Sequence, residues 1–205
     1  MLIKSHVKHR ARNYNIRLPG DYEFALMNSI KGNIFDCKLV FSWLFDMGSK
    51  TLNACALLPG IIIVNSEWAA HLVLFRNPET INAFWATIGH EMTHKDNDYV
   101  FWEFWTKDKT FVNWINEVHA DFGGTIKCLD GKRAYAIRAV SYKKKYKGKK
   151  DRDTLTHPSW NKRLEYISKY NFNEALIRKI ATDVGCKNEK LINNICSYYA
   201  VLRLI

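Results

Sequence analysis

Residues 90–94 read His90-Glu91-Met92-Thr93-His94, and further along the chain comes Asn116-Glu117-Val118-His119-Ala120-Asp121. On a helix, positions i and i+4 share one face. His90 and His94 therefore point at a common target, and so do Glu117 and Asp121. Glu91 sits about 100° round the helix from His90, where it can hold a water on a metal ion rather than the ion itself. With seven His and nine Glu in the 205 residues, chance supplies only about 0.01 H-E-x-x-H patterns. The two stretches together predict a metal site built from two helices.

The flanking residues agree. Asn77-Pro78 is a helix start, with Pro at the first helical position, and the helix is expected to run to about His94. Ile81, Trp85, Ile88 and Met92 form its apolar seam, while Ala83, Ala86 and Thr87 precede the His pair on the other side. Small residues there permit another element to approach closely. A solvent-facing surface would more often carry Lys and Glu.

A second helix is expected over 110–129, ending at Asp130-Gly131, with an apolar face of Ile115, Val118, Phe122, Ile126 and Leu129. Its other face presents Glu117, Asp121 and Gly124. A catalytic zinc takes three protein ligands and keeps one position open. His90, His94 and Glu117 supply the three, one zinc per chain. Asp121 would accept a hydrogen bond from a ligand His and fix its tautomer. His119 is a rival third ligand, although it points nearer the apolar face. An ordinary helix with an exposed acidic pair is the plainer alternative for Glu117 and Asp121.

Away from these helices the pattern is mixed. Residues 21–31 and 67–75 read as helices, and 37–44 as a strand or a buried helix. Pro59-Gly60 is turn chemistry, and Ile61-Ile62-Ile63-Val64 is a β-branched strand. A short third helix precedes the Lys-rich segment. From Pro158 onward the chain reads as helical, with breaks near Asn171 and Gly185. Strands early and helices later make an α+β arrangement in a single domain, 1–205.

Composition bounds the function. Apolar residues make up 47% and charged residues 25%, with seven Trp, eleven Phe and ten Tyr, which excludes general disorder. The longest apolar run, Ala54 to Val64, is interrupted by Pro59-Gly60 and is too short to span a bilayer. A basic start with no apolar stretch after it argues against a signal peptide. Five cysteines without a C-x-x-C pair suggest reduced thiols and a cytoplasmic protein.

The net charge of +11 comes from a basic N-terminal segment, 1–17, and from residues 142–152, on a neutral body, and a basic loop is expected at 143–153. Both read as solvated surface or as contacts for an anionic partner. No nucleic-acid motif is present, so no nucleic-acid partner is expected.

Taken together, the motifs resemble those of the gluzincin metallopeptidases, which follow H-E-x-x-H with a helix bearing E-x-x-x-A/S-D. The segment Asn53-Ala54-Cys55-Ala56-Leu57-Leu58-Pro59-Gly60-Ile61-Ile62-Ile63-Val64-Asn65 is similar to one in the CAAX-prenyl-protease and HtpX family. Thr156-His157-Pro158 followed by Arg163 is similar to that family's late H-P-x-x-x-x-R motif. The similarity covers roughly residues 50–165. The apparent absence of spanning helices and a loop of 22 residues between His94 and Glu117 bring it nearest to the soluble, stand-alone minigluzincins.

The resemblance implies a zincin-like fold: a small sheet with an exposed edge strand, packed on the active-site helix and the glutamate helix, followed by C-terminal helices at 158–205. It implies a soluble zinc endopeptidase acting on a peptide or protein, with Glu91 as general base for a metal-bound water. His157 would hydrogen-bond the developing oxyanion, and Arg163 would be buried against an acid behind the ligands. Ile61, Ile62, Ile63, Val64 and Asn65 would be the edge strand that receives an extended substrate. Two other readings fit the same chain. One is a regulatory protease that clips a single partner protein, and the other is a non-catalytic module that binds an anionic partner.

Overall fold

A computed structural model describes residues 2–18, 20, 38–42, 52–58, 61–97, 106–146 and 151–202. The helix expected over 21–31 and the Pro59-Gly60 turn lie outside them. The described elements are α1 (Leu2–Asn13), β1 (Lys38–Ser42), β2 (Ala54–Leu58), β3 (Ile61–Asn65), α2 (Ser66–Leu74), α3 (Pro78–Asn97), α4 (Lys109–Cys128), α5 (Arg133–Tyr146), α6 (Trp160–Lys169), α7 (Glu174–Val184) and α8 (Glu189–Leu202). The chain is α+β and mostly helical, and its described sheet is three-stranded and mixed. No described helix is long and apolar enough to cross a membrane.

The sheet order is β1-β3-β2, with β1 parallel and β2 antiparallel to β3. This corrects the expected edge strand. Ile61–Asn65 is the central strand, with Ile62 and Val64 almost wholly buried. Four consecutive β-branched residues suit a strand with neighbours on both sides better than an edge. The edge toward α3 is β2. Among the described residues β2 pairs with β3 alone.

Local signals place the helices. Asn65 ends β3 and caps α2, its Oδ1 accepting from the Glu67 N–H at 2.8 Å. Asn77 caps α3 in the same way, taking the Thr80 N–H at 2.8 Å, with Pro78 in the first turn as expected. Ser159 and Asn173 cap α6 and α7, and Gly185 closes α7 in a left-handed conformation (φ 73°).

Two apolar clusters flank α4. One packs the sheet, α2, α3 and α5 around Trp68, Phe84 and Ile88. The other packs α4 with α6, α7 and α8 around Ile115, Tyr166 and Ile180. Ile126, expected on the buried face of α4, is 71% exposed.

Helices α3 and α4 cross with backbones nearly touching. A Cβ on Gly124 would lie 2.7 Å from His90 N, and one on Gly89 would lie 2.8 Å from Gly124 O. The close approach inferred from Gly124 is therefore present. It also uses Gly89 and Gly123, the latter facing the Thr93 side chain.

The basic N-terminal segment is not simply a solvated tail. Residues 2–13 form α1, which docks on α2 through the fully buried Glu67. Arg10 Nε donates to Glu67 Oε2 at 2.7 Å, His6 Nε2 lies 2.9 Å from the same oxygen, and Tyr14 Oη donates to Oε1 at 3.1 Å. Burial raises the Glu67 pKa, but His6, His71 and Arg10 outweigh it and hold the carboxyl well below the usual range. Alternation of Lys and His in the sequence hid a helix whose Val7, Arg10 and Ala11 face inward.

Candidate metal centre

Helix α3 carries His90, Glu91 and His94, and α4 lays Glu117 and Asp121 across them. His90 Nε2 and His94 Nε2 stand 2.9 Å apart. Glu117 Oε2 is 3.5 Å from His90 Nε2, and Glu117 Oε1 is 3.4 Å from His94 Nε2. One ligand atom from each of the three residues lies within 4.8 Å of the others.

A tetrahedral ion with bonds of about 2.0–2.1 Å holds its donors roughly 3.3 Å apart, so the three residues match such an ion. Glu117 Oε2 is buried and receives no hydrogen bond among the described residues, as expected of an oxygen reserved for a cation. Two imidazoles and a carboxylate are a borderline donor set that suits zinc.

The groups behind the ligands hold them in place. His90 Nδ1 lies 3.0 Å from Asp121 Oδ1. Asp121 thus keeps the proton on Nδ1 and turns Nε2 toward the site. Arg163, from α6, donates through Nε to Asp121 Oδ2 at 2.7 Å and through a terminal nitrogen to Oδ1. Its other terminal nitrogen is 3.3 Å from Glu117 Oε2. Both Arg163 and Asp121 are buried.

Burial raises the Asp121 pKa, but Arg163 and His90 more than offset it and keep the carboxyl ionised. Burial likewise opposes the Glu117 charge, and the imidazoles of His157, His90 and His94, at 3.2, 3.5 and 3.4 Å, drive its pKa well below the usual range. For Arg163, desolvation pulls down while Asp121 pushes up, and Asp121 prevails.

Glu91 faces the sheet, where its Oε2 accepts the Ala56 N–H of β2 at 3.1 Å. His157 reaches the site from the loop before α6, with Nε2 3.2 Å from Glu117 Oε1 and the ring half exposed. Its loop is well anchored. Thr154 exchanges backbone and hydroxyl hydrogen bonds with His157. Trp114 Nε1 donates to Thr154 O at 2.9 Å. Asp151 and Asp153 accept backbone N–H groups at the start of α6.

Every residue expected at the centre is therefore there: His90, Glu91, His94, Glu117, Asp121, His157 and Arg163. The rival ligand His119 is elsewhere, its ring 4.8 Å from Phe172 and 4.5 Å from Tyr199 in the apolar cluster of the C-terminal helices. Ile61–Asn65 do not line the cleft. Ala54, Cys55 and Ala56 of β2 do.

The expected basic loop at 143–153 also needs correction. Lys143, Lys144 and Lys145 belong to α5, and 147–150 lie outside the described residues. Lys143 is only 8% exposed, lines the cleft with Arg152, and stacks 4.9 Å over the Trp160 ring. A signal for it was present. Ala136, Ala139, Val140 and Lys143 share one face of α5, and the three apolar members are buried.

Comparison with protein-family models, with curated proteins and with solved structures gave no match.

Proposed function

We propose that this chain is a zinc endopeptidase of zincin-like architecture. One observation carries the reading: His90, His94 and Glu117 converge on a single point in a cleft that also holds a carboxylate, Glu91, beside a strand edge. A zinc ion bound there would acidify a water and polarise a carbonyl.

The chain's own residues then divide the work. Glu91 takes a proton from the attacking water and later delivers it to the leaving amine. Asp121 and Arg163 hold His90 and Glu117 in register, so little reorganisation is needed during reaction. His157, at the rim, donates a hydrogen bond to the oxygen that gains charge. Strand β2, in place of Ile61–Asn65, offers main-chain groups to an extended peptide.

The test is metal analysis of the purified protein together with a peptide-library cleavage profile, for wild type and Glu91→Gln. Stoichiometric zinc with cleavage in wild type only supports the reading. Zinc without cleavage of any peptide rejects it in favour of a binding module, and cleavage of one partner protein alone narrows it to a regulatory protease.

A further inference from the structure

The cleft beside the metal centre contains a cation that the proposed chemistry does not use. Lys143 is more than nine-tenths buried, yet its side chain lines the cleft. Among the described residues it has neither an ion pair nor a hydrogen bond, and its ammonium lies 4.9 Å over the Trp160 ring.

The nearby acids are already engaged. Asp121 is held by Arg163 and His90. Glu117 faces three imidazoles and Arg163. Glu91 accepts from Ala56. Burial, and then the Arg163 guanidinium, push the Lys143 pKa down to about 8, so the ammonium bears a desolvation cost that the charges of Asp121, Glu91 and Glu117 offset only in part. A second cation, the exposed Arg152, lines the same cleft.

We propose that Lys143, with Arg152 lining the same cleft, forms a carboxylate-binding subsite next to the metal centre, which receives an acidic side chain or the free C-terminus of a peptide. The assignment rests on the peptidase reading for its substrate, but the geometry of the subsite is independent of the metal. An ammonium held over an indole at one wall of a cleft is preorganised, since its rotamer and desolvation costs are met before a ligand arrives. Arg152 adds planar donors that a carboxylate can share.

The experiment reads binding on the full-length Glu91→Gln protein, by anisotropy of labelled peptides on one Ala-Ser background. The peptides carry Glu or Gln at one central position, each with a free or amidated C-terminus. The carboxylate-bearing member should bind on the order of tenfold more tightly than its neutral counterpart, as one charge-assisted contact implies.

Adding Lys143→Met should bring that ratio close to one, and adding Arg152→Gln should lower it in part. Collapse of the Glu/Gln preference assigns a side-chain carboxylate, and collapse of the acid/amide preference assigns the C-terminus. No preference in the Glu91→Gln protein overturns the proposal, and so does a preference that survives Lys143→Met. A Lys143 that merely supports Trp160 gives this second result. If Lys143→Met does not fold, the exposed Arg152→Gln variant decides, and an unchanged ratio there overturns the proposal. Because these readouts need no turnover, failure of the peptidase reading would appear separately, as a zinc-loaded wild type that cleaves nothing.

Discussion

Arg163 grips Asp121 through two donors, with Nε 2.7 Å from Oδ2 and a terminal nitrogen on Oδ1, and both side chains are buried. This pair links the C-terminal helices to the centre, because Asp121 in turn orients His90 and Arg163 also reaches Glu117. Removing the guanidinium strands a buried carboxylate. Arg163→Met is expected to cost about 3–5 kcal/mol of stability in urea unfolding. It should also weaken zinc binding about 10–100-fold, as loss of a group supporting a ligand His does. An unchanged unfolding midpoint would show that the pair is not strongly coupled to folding.

Glu117→Gln should lower zinc content and hydrolysis together, since it removes the ligand charge while keeping the side chain's shape. Metal analysis after dialysis against a weak chelator is the check. Full zinc occupancy in the variant would remove Glu117 from the ligand set.

Glu91→Gln should keep zinc and lose about 10²–10⁴-fold in kcat, the usual worth of a general base. The amide can still accept from the Ala56 N–H, so the sheet edge need not move. A variant that cleaves at wild-type rate would remove Glu91 from proton transfer.

Gly124→Ala places a methyl 2.7 Å from His90 N, against backbone rather than a flexible side chain. The expected outcome is about 1–3 kcal/mol of destabilisation and weaker zinc binding, because α3 and α4 must separate. Thermal unfolding with and without zinc reads both effects. A variant with native stability and affinity would show that the crossing is slack.

Glu67→Gln should destabilise the docking of α1 by about 3 kcal/mol near neutral pH, since it breaks a buried charged cluster. The Glu67 pKa in the folded protein is depressed. Its stabilisation is therefore fully present above the unfolded value of about 4.3 and drains away as pH falls below it. The stability gap between wild type and variant should accordingly narrow below about pH 4. A gap independent of pH would mean that shape, not charge, holds α1.

Much of the centre was legible in the residues because helical periodicity is local. The i,i+4 spacing of His90 and His94, and of Glu117 and Asp121, already places each pair on one face, and Asn77-Pro78 marks the start of its helix. The apolar face assigned to α4 was right at Ile115, Val118 and Leu129 and wrong at Ile126, because which turns of a helix are covered depends on where its neighbours end.

By itself the sequence determined the two helices that carry the His pair and the carboxylate pair, most of their inward faces, the α+β order of elements and the residues gathered at the centre. These follow from backbone periodicity and from side chains that act within a turn or two. Only the tertiary structure decided that Ile61–Asn65 is the middle strand and β2 an edge of the sheet among the described residues, because strand order is set by pairings distant in sequence. It alone turned a basic N-terminal segment into a helix held by Glu67, and part of a basic loop into a wall of the cleft. A Lys or Arg reads as solvated until the fold brings a carboxylate or an indole to it. Glu67 does so for Arg10, and Trp160 does so for Lys143, from positions far along the chain.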